Sequence, residues 1–386
     1  MSTSLPTMIR LRAIQNKSRQ LLESLNDKIS RTQFHQDLSP LGWHLGHCLY
    51  IENYWLHEVL QSDNSQTQKL ESLYIPENCP RPKRGKRIPK LKQLIRDAQL
   101  QQDNNDLLLI EMTSPLSDHK LFQDEYLQYF IIQHYAQHFE TMHMVLNQMS
   151  IKKDRGKYKP GQPLQAAPLS TDSVHINAGE FEVGGESPLA YDNELPKHQT
   201  RLDRFNIALR PVTNAEYLGF IEAGGYDHQA YWSEQGWQWR NENNICQPDH
   251  WKQNKQGEWY AIEYPEPADL VAKDPVYGIS HYEAEAFARW SNARLPHEHQ
   301  WEVSVAQGKL EYTGKVWEWC SNTFYPYPDF QAFPYDGYSK PWFDDQHYVA
   351  RGASRHTRPE IRRPSFRNFF NPDKRHIFAG LRLVFD

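Results

Sequence analysis

Two histidines stand four residues apart in "IIQHYAQHFETMHM", residues 131–144, with His143 five positions after the second. On a helix, side chains at i and i+4 share one face, so the imidazoles of His134 and His138 can reach a single point. A second stretch, "WHLGH", offers His44 and His47 from an earlier segment. Three neutral imidazoles without a thiolate suit iron, zinc, copper or nickel and leave positions open for substrate and oxygen. The same residues also read as hydrogen-bonded polar groups in a helical core, and spacing alone does not choose the metal.

Two further stretches carry chemistry-bearing side chains. "CPRPKRGKRIPK" crowds Arg81, Lys83, Arg84, Lys86 and Arg87 into seven positions. It reads as a solvated basic loop, or as a clamp whose guanidinium forks bind carboxylates. "FYPYPDFQAFPYDGYSKPWF" holds Tyr325, Tyr327, Tyr335 and Tyr338. Such rings fill loops, yet a tyrosine near a metal can supply a proton or an electron to bound oxygen.

The elements that must position these groups fall into two textures. Residues 1–150 carry four helical stretches: apolar positions Ile9, Leu11, Ile14, Leu21, Leu22 and Leu25; "SPLGWHLGHCLYIENYWLHEVLQ", with Ser39 as N-cap and Pro40 as first helical residue; "IPKLKQLIRDAQLQQDNNDLLLIEM"; and 122–149. Together they predict an all-α four-helix bundle, whose interior commonly houses metal ligands. Residues 151–173, polar and punctuated by proline and glycine, read as a linker. From 174 to 386 Trp, Tyr, Gly, Pro and Asn are dense, "VHINAGEFEVGG" alternates like a strand, and one helix is expected around 281–292. That predicts an α+β domain held by loop packing.

The 386 residues suit about two domains. With 43 basic against 48 acidic residues, no strong field favours nucleic acid or a membrane surface. No apolar run is long enough to cross a bilayer, and the N-terminal stretch lacks a secretory apolar block, so the cytoplasm is the expected location. Cys48, Cys79, Cys246 and Cys320 are widely spaced, which disfavours a disulfide framework or thiolate zinc site.

Several of these stretches resemble known families. "VHINAGEFEVGG", "RPVTNAEYLGFIEAGGY", "DPVYGISHYEAEAFARWSNARLPHEHQWEVSVA", "GKVWEWCSN", "RGAS" and "FAGLRLVF" are similar to the formylglycine-generating-enzyme (sulfatase-modifying-factor) domain, which implies a C-type-lectin-like fold. "SPLGWHLGHCLYIENYWL" and "HYAQHFE" resemble the DinB-like bundle. In this order the two halves resemble the EgtB-type sulfoxide synthases of ergothioneine biosynthesis, with ovothiol and selenoneine synthases as relatives. The resemblance implies Fe(II) held by His47, His134 and His138, with His44 beside them. It implies a histidine derivative, a thiol or selenol donor and O2 as small-molecule substrates, with no nucleic-acid or membrane partner. Tyr335 would be catalytic and Tyr338 would lie beside the substrate. Arg84 and Arg87 would clamp the thiol donor's carboxylates, and Gln137 would bond the acceptor imidazole.

Two departures matter. Residues 355–386 hold no cysteine, against the cysteine pair of true formylglycine-generating enzymes. "SFRNFFNPDKRHIF" has Phe369 and Phe370 where some members of the resembled family carry Trp-Asp, and two phenyl faces could hold a trimethylammonium. No appended methyltransferase follows, which favours trimethylhistidine over histidine as the expected acceptor. The alternatives are a DinB-type metal-dependent thiol S-transferase, or a ligand-binding scaffold without catalysis.

Overall fold

A computed structural model describes residues 3–111 and 119–385. The chain divides into two compact units, Met1–Lys152 with Arg358–Ile361, and Lys153–Thr357 with Arg362–Asp386.

The first unit is helical: α1 (Leu5–Glu23), α2 (Asp27–Arg31), α3 (Leu41–Asn53), α4 (Glu71–Tyr74), α5 (Arg81–Arg87), α6 (Leu91–Glu111) and α7 (Tyr126–Lys153). Helix α3 is buried along every residue except Ile51 and packs against α1, α2, α4 and α6. A helix covered on all sides needs no polar stripe, which is why its apolar residues are not confined to one face. Outer helices keep the amphipathic pattern: α1 buries Met8, Leu11, Ile14 and Leu22, whereas Ile9 is exposed.

Several boundaries differ from the sequence reading. Pro40, not Ser39, stands at the α3 cap, and the Ser39 hydroxyl instead accepts from Arg84 at 2.5 Å. The expected six-turn helix changes at Tyr54–Val59 into a π-helical turn. The basic loop is a helix, α5, because Pro82 in its first turn has the fixed φ that helix starts favour. Helix α7 runs to Lys153, into the expected linker, and Met112 of the third predicted helix lies outside the described residues.

One polar network threads this core. Glu52, fully buried, accepts from the Tyr135 hydroxyl at 2.7 Å, Asn105 Nδ2 at 2.9 Å and Gln15 Nε2 at 3.2 Å. Burial pushes its carboxyl up to about 7, against the pull of those donors.

The second unit is α+β. A three-stranded antiparallel sheet joins β1 (Ser173–Ile176), β4 (Phe205–Ala208) and β11 (Val384–Phe385), while β2 (Gly179–Val183) pairs with β3 (His198–Leu202). "VHINAGEFEVGG" is thus two strands in two different sheets. A small ribbon joins β5 (Trp251–Gln253) to β6 (Trp259–Ala261). A mixed sheet runs β10 (Ala379–Gly380), β7 (Trp317–Thr323), β8 (Tyr348–Gly352), β9 (Asn368–Phe370).

Besides the expected helix, α10 (His281–Trp290), the unit holds α8 (Asn214–Glu222), α9 (Glu234–Glu242) and α11 (Glu298–Ala306). Their starts were written in the chain. Thr213 with Glu216, and Ser280 with Glu283, form reciprocal capping boxes, and His297 with Gln300 does the same for α11. Buried ion pairs tie these elements together. Arg367 grips Glu298 twice at 2.8 Å, and Arg382 grips Glu318 at 2.7 and 2.9 Å, all four side chains without solvent exposure.

Candidate metal centre and aromatic loop

Helix α3 delivers His47 and helix α7 delivers His134 and His138. Their ligand atoms all lie within 4.8 Å of one another. Ring centroids are 5.2 Å apart for His47 and His134, 4.8 Å for His47 and His138, and 4.5 Å for His134 and His138. The i, i+4 reading of α7 and the reach from α3 therefore converge on one point.

The donor set fits a divalent metal ion. Burial lowers the pKa of His47 to about 4 and holds His134 and His138 well below the usual imidazole value, so all three are neutral at pH 7. His47 Nδ1 lies 2.7 Å from the Tyr74 carbonyl oxygen. A carbonyl only accepts, so Nδ1 carries the proton and Nε2 offers its lone pair.

Tyr74 also packs its ring against α3, at a glycine. A Cβ at Gly46 would sit 2.2 to 2.3 Å from the Tyr74 ring, so only glycine lets this ring lie against α3. Trp43 adds a second constraint. Its ring stacks on His47 at 4.6 Å and 11°, and its Nε1 donates to the Leu73 carbonyl at 2.8 Å. The Arg84 guanidinium lies 4.1 Å over the same indole. Arg84 and His47 therefore both lie against the Trp43 ring.

Arg84 was expected to present its fork to a carboxylate. Instead it is buried and donates to the Cys79 carbonyl at 2.8 Å, the Pro76 carbonyl at 2.9 Å and the Ser39 hydroxyl. Arg87 is exposed, with Nη1 on the Ser72 carbonyl at 2.6 Å and Nη2 on the Ser72 hydroxyl at 2.7 Å. Gln137 is half-buried on α7, one residue before His138. His143 lies further along α7 against Phe139, outside the cluster.

His44 Nδ1 meets His138 Nδ1 at 2.9 Å, and the His44 ring is buried. Burial, then His47 and Arg84 nearby, lowers its pKa to about 3. Gly46, Tyr74 and Trp43 escaped the sequence reading as site residues. A glycine inside a helix was the available signal.

In the second unit, Tyr335 is 42% exposed and Tyr338 stacks on Tyr191 at 4.4 Å and 29°. Phe369 and Phe370 do not form a common cage. They are consecutive in β9 and point to opposite sheet faces: Phe369 stacks on Phe324 at 4.0 Å, whereas Phe370 meets the edge of Trp319 at 6.2 Å. Cys320 is fully buried in β7, and burial pushes its thiol well up, the opposite of what a reactive thiolate needs. Among the described residues, no helix is long and apolar enough to cross a membrane.

Comparison with known proteins agrees with both halves. The DinB superfamily matches residues 10–142, and the sulfatase-modifying factor enzyme 1-like domain matches 162–313 and 306–386. The hercynine oxygenase of Mycobacterium tuberculosis is 31% identical, over 68% of this chain and 72% of its own length. That of Mycolicibacterium thermoresistibile is 30% identical over 96% of this chain and 93% of its own. Ergothioneine biosynthesis protein 1 of Schizosaccharomyces pombe is 27% identical over 58% of this chain and 30% of its own length. With the metal-ligand cluster in the bundle and relatives matched across both domains, the chain belongs to the hercynine oxygenase family and is an oxidoreductase of that type.

Proposed function

We propose that this protein joins hercynine, the trimethylated histidine betaine, to a cysteine-type thiol with O2 and Fe(II). The ring C–H and the S–H are lost, a C–S bond forms, sulfur becomes a sulfoxide, and the second oxygen atom leaves as water. Carbon–sulfur coupling and sulfur oxidation each release two electrons, together the four that O2 takes up. The observation carrying this reading is the convergence of His47, His134 and His138 on one point.

Bound there, ferrous iron would supply O2 activation and a site for the thiolate sulfur. The chain's residues do the rest. The three imidazoles stay neutral because desolvation disfavours their charged form, and the Tyr74 carbonyl fixes which nitrogen His47 presents. Gln137, next to His138, bonds the acceptor's imidazole. Arg87 meets the donor's carboxylate, and its exposure supports that part. Arg84 acts indirectly, by bracing α5 and Trp43. Tyr335 surrenders the proton that the reduced oxygen needs, and Tyr338 lines the substrate. Phe369 and Phe370, on opposite faces of β9, offer at most one ring to the trimethylammonium.

The test is anaerobic loading with Fe(II), then O2 uptake and mass spectrometry with hercynine plus cysteine, γ-glutamylcysteine or a selenol. A sulfoxide of hercynine and thiol, in step with O2 consumed, supports the reading. Thiol transfer without O2 uptake would overturn it.

A further inference from the structure

Asp192 has no part in the reaction described above, yet it is 1% exposed and its hydrogen bonds are unusual. Its Oδ2 accepts from the Phe333 amide at 3.3 Å, and its Oδ1 accepts from the Ser339 hydroxyl at 2.5 Å. That hydroxyl in turn accepts from Asn193 Nδ2 at 3.0 Å. Phe333 and Ser339 are the two ends of one loop, and the loop carries Tyr335 and Tyr338. One carboxylate therefore holds both ends.

The loop's interior is fixed from the same side. Tyr338 stacks on Tyr191, the residue immediately before Asp192. The Tyr335 ring folds over Gly337 so closely that a Cβ there would lie 2.9 Å from it. Residues 191–193 thus grip the segment at its start, at its end and at one of its two tyrosines. Tyr335, the other, is left 42% exposed.

A carboxylate is a costly choice for this work. Buried away from water it loses hydration, and burial raises its pKa to about 6 against the pull of Ser339 and Phe333. A loop needing only a filled core would be served by an apolar residue. An acceptor with two oxygens, each bonded to a different end of the loop, fixes the span between them.

We propose that Asp192 is a positioning residue for Tyr335: it closes residues 333–339 into a loop of fixed span and so sets where the phenol stands. The inference rests on the reading of Tyr335 as proton donor. Its test uses Asp192→Ala, the conservative Asp192→Asn, Ser339→Ala and Tyr335→Phe in the Fe(II)-loaded full chain. Two quantities are followed: amide hydrogen exchange across 333–339, and the ratio of sulfoxide to oxidised thiol.

Asp192→Ala should raise exchange in the loop more than tenfold and shift the product ratio in the direction of Tyr335→Phe. Asp192→Asn and Ser339→Ala should do so partially, and the double variant with Tyr335→Phe should be no worse than Tyr335→Phe alone. Unchanged exchange in all three loop variants would show that Asp192 does not hold the segment. Raised exchange with a wild-type product ratio, while Tyr335→Phe alters that ratio, would show that the clasp does not serve Tyr335. A wild-type ratio in Tyr335→Phe would overturn the role of Tyr335 itself, and with it the positioning role.

Discussion

His44 and His138 meet nitrogen to nitrogen, Nδ1 to Nδ1, at 2.9 Å. Only one of the two can carry the shared proton. If His138 donates, its Nε2 keeps a lone pair for a metal. If His44 donates, His138 is protonated on Nε2 and lost as a ligand through that atom.

Metal binding therefore selects the arrangement in which His44 accepts, and His44→Phe should weaken binding about 10- to 100-fold. Titration of Fe(II), or of Co(II) followed by its visible bands, reads this without turnover. Affinity equal to wild type would leave His44 a packing residue only.

Gly46→Ala inserts a methyl where the Tyr74 ring lies. Overpacking of this kind costs about 1–3 kcal/mol, more than the gain in helix propensity returns. The ring must move, and a shift carried into the Tyr74 main chain would weaken the carbonyl contact that fixes the His47 tautomer. Urea unfolding should show the loss of stability, and metal titration a weaker site. A variant as stable as wild type, binding metal as tightly, would contradict the close approach.

Arg84→Ala removes three hydrogen bonds and the guanidinium contact with Trp43, leaving the buried Cys79 carbonyl and Ser39 hydroxyl without that donor. A loss of about 3 kcal/mol is expected. Lysine should not rescue it, because it lacks the planar fork. Steady-state kinetics should show KM for thiol and for hercynine changing alike. A rise confined to the thiol would restore Arg84 as a direct carboxylate clamp.

Glu52 makes stability depend on pH. Its folded-state pKa of about 7 exceeds the ordinary 4.5, so the folded chain retains a proton that the unfolded chain has released. Its contribution is whole below about 4.5 and is lost as pH rises through about 7. Glu52→Gln should flatten the stability profile there, so that the variant gains on wild type between pH 5 and 8. Parallel profiles across that range, from denaturant melts, would exclude the effect.

How much of this could be seen in the chain depended on the range of the interaction. The pair His134 and His138 is a one-turn relation on a single helix, whereas the choice of His47 over His44 came from the resemblance of "SPLGWHLGH" to the family motif. Capping boxes at Thr213 and Ser280 are equally local, though the density of loop residues around them hid α8. By contrast, the Arg84, Trp43 and His47 stack joins α5 to α3, and nothing in the run of basic residues marks one as buried. Phe369 and Phe370 looked like a pair because adjacency in sequence suggests adjacency in space. A strand sends neighbours to opposite sides.

The contact of Arg84 and His47 with one indole has a practical corollary for anyone wishing to retune donor choice. Libraries that randomise the basic segment would perturb the ion-binding core through the indole, so altered selectivity and altered metal loading would arrive together. Variation is better confined to Arg87 and Lys86, whose side chains are exposed.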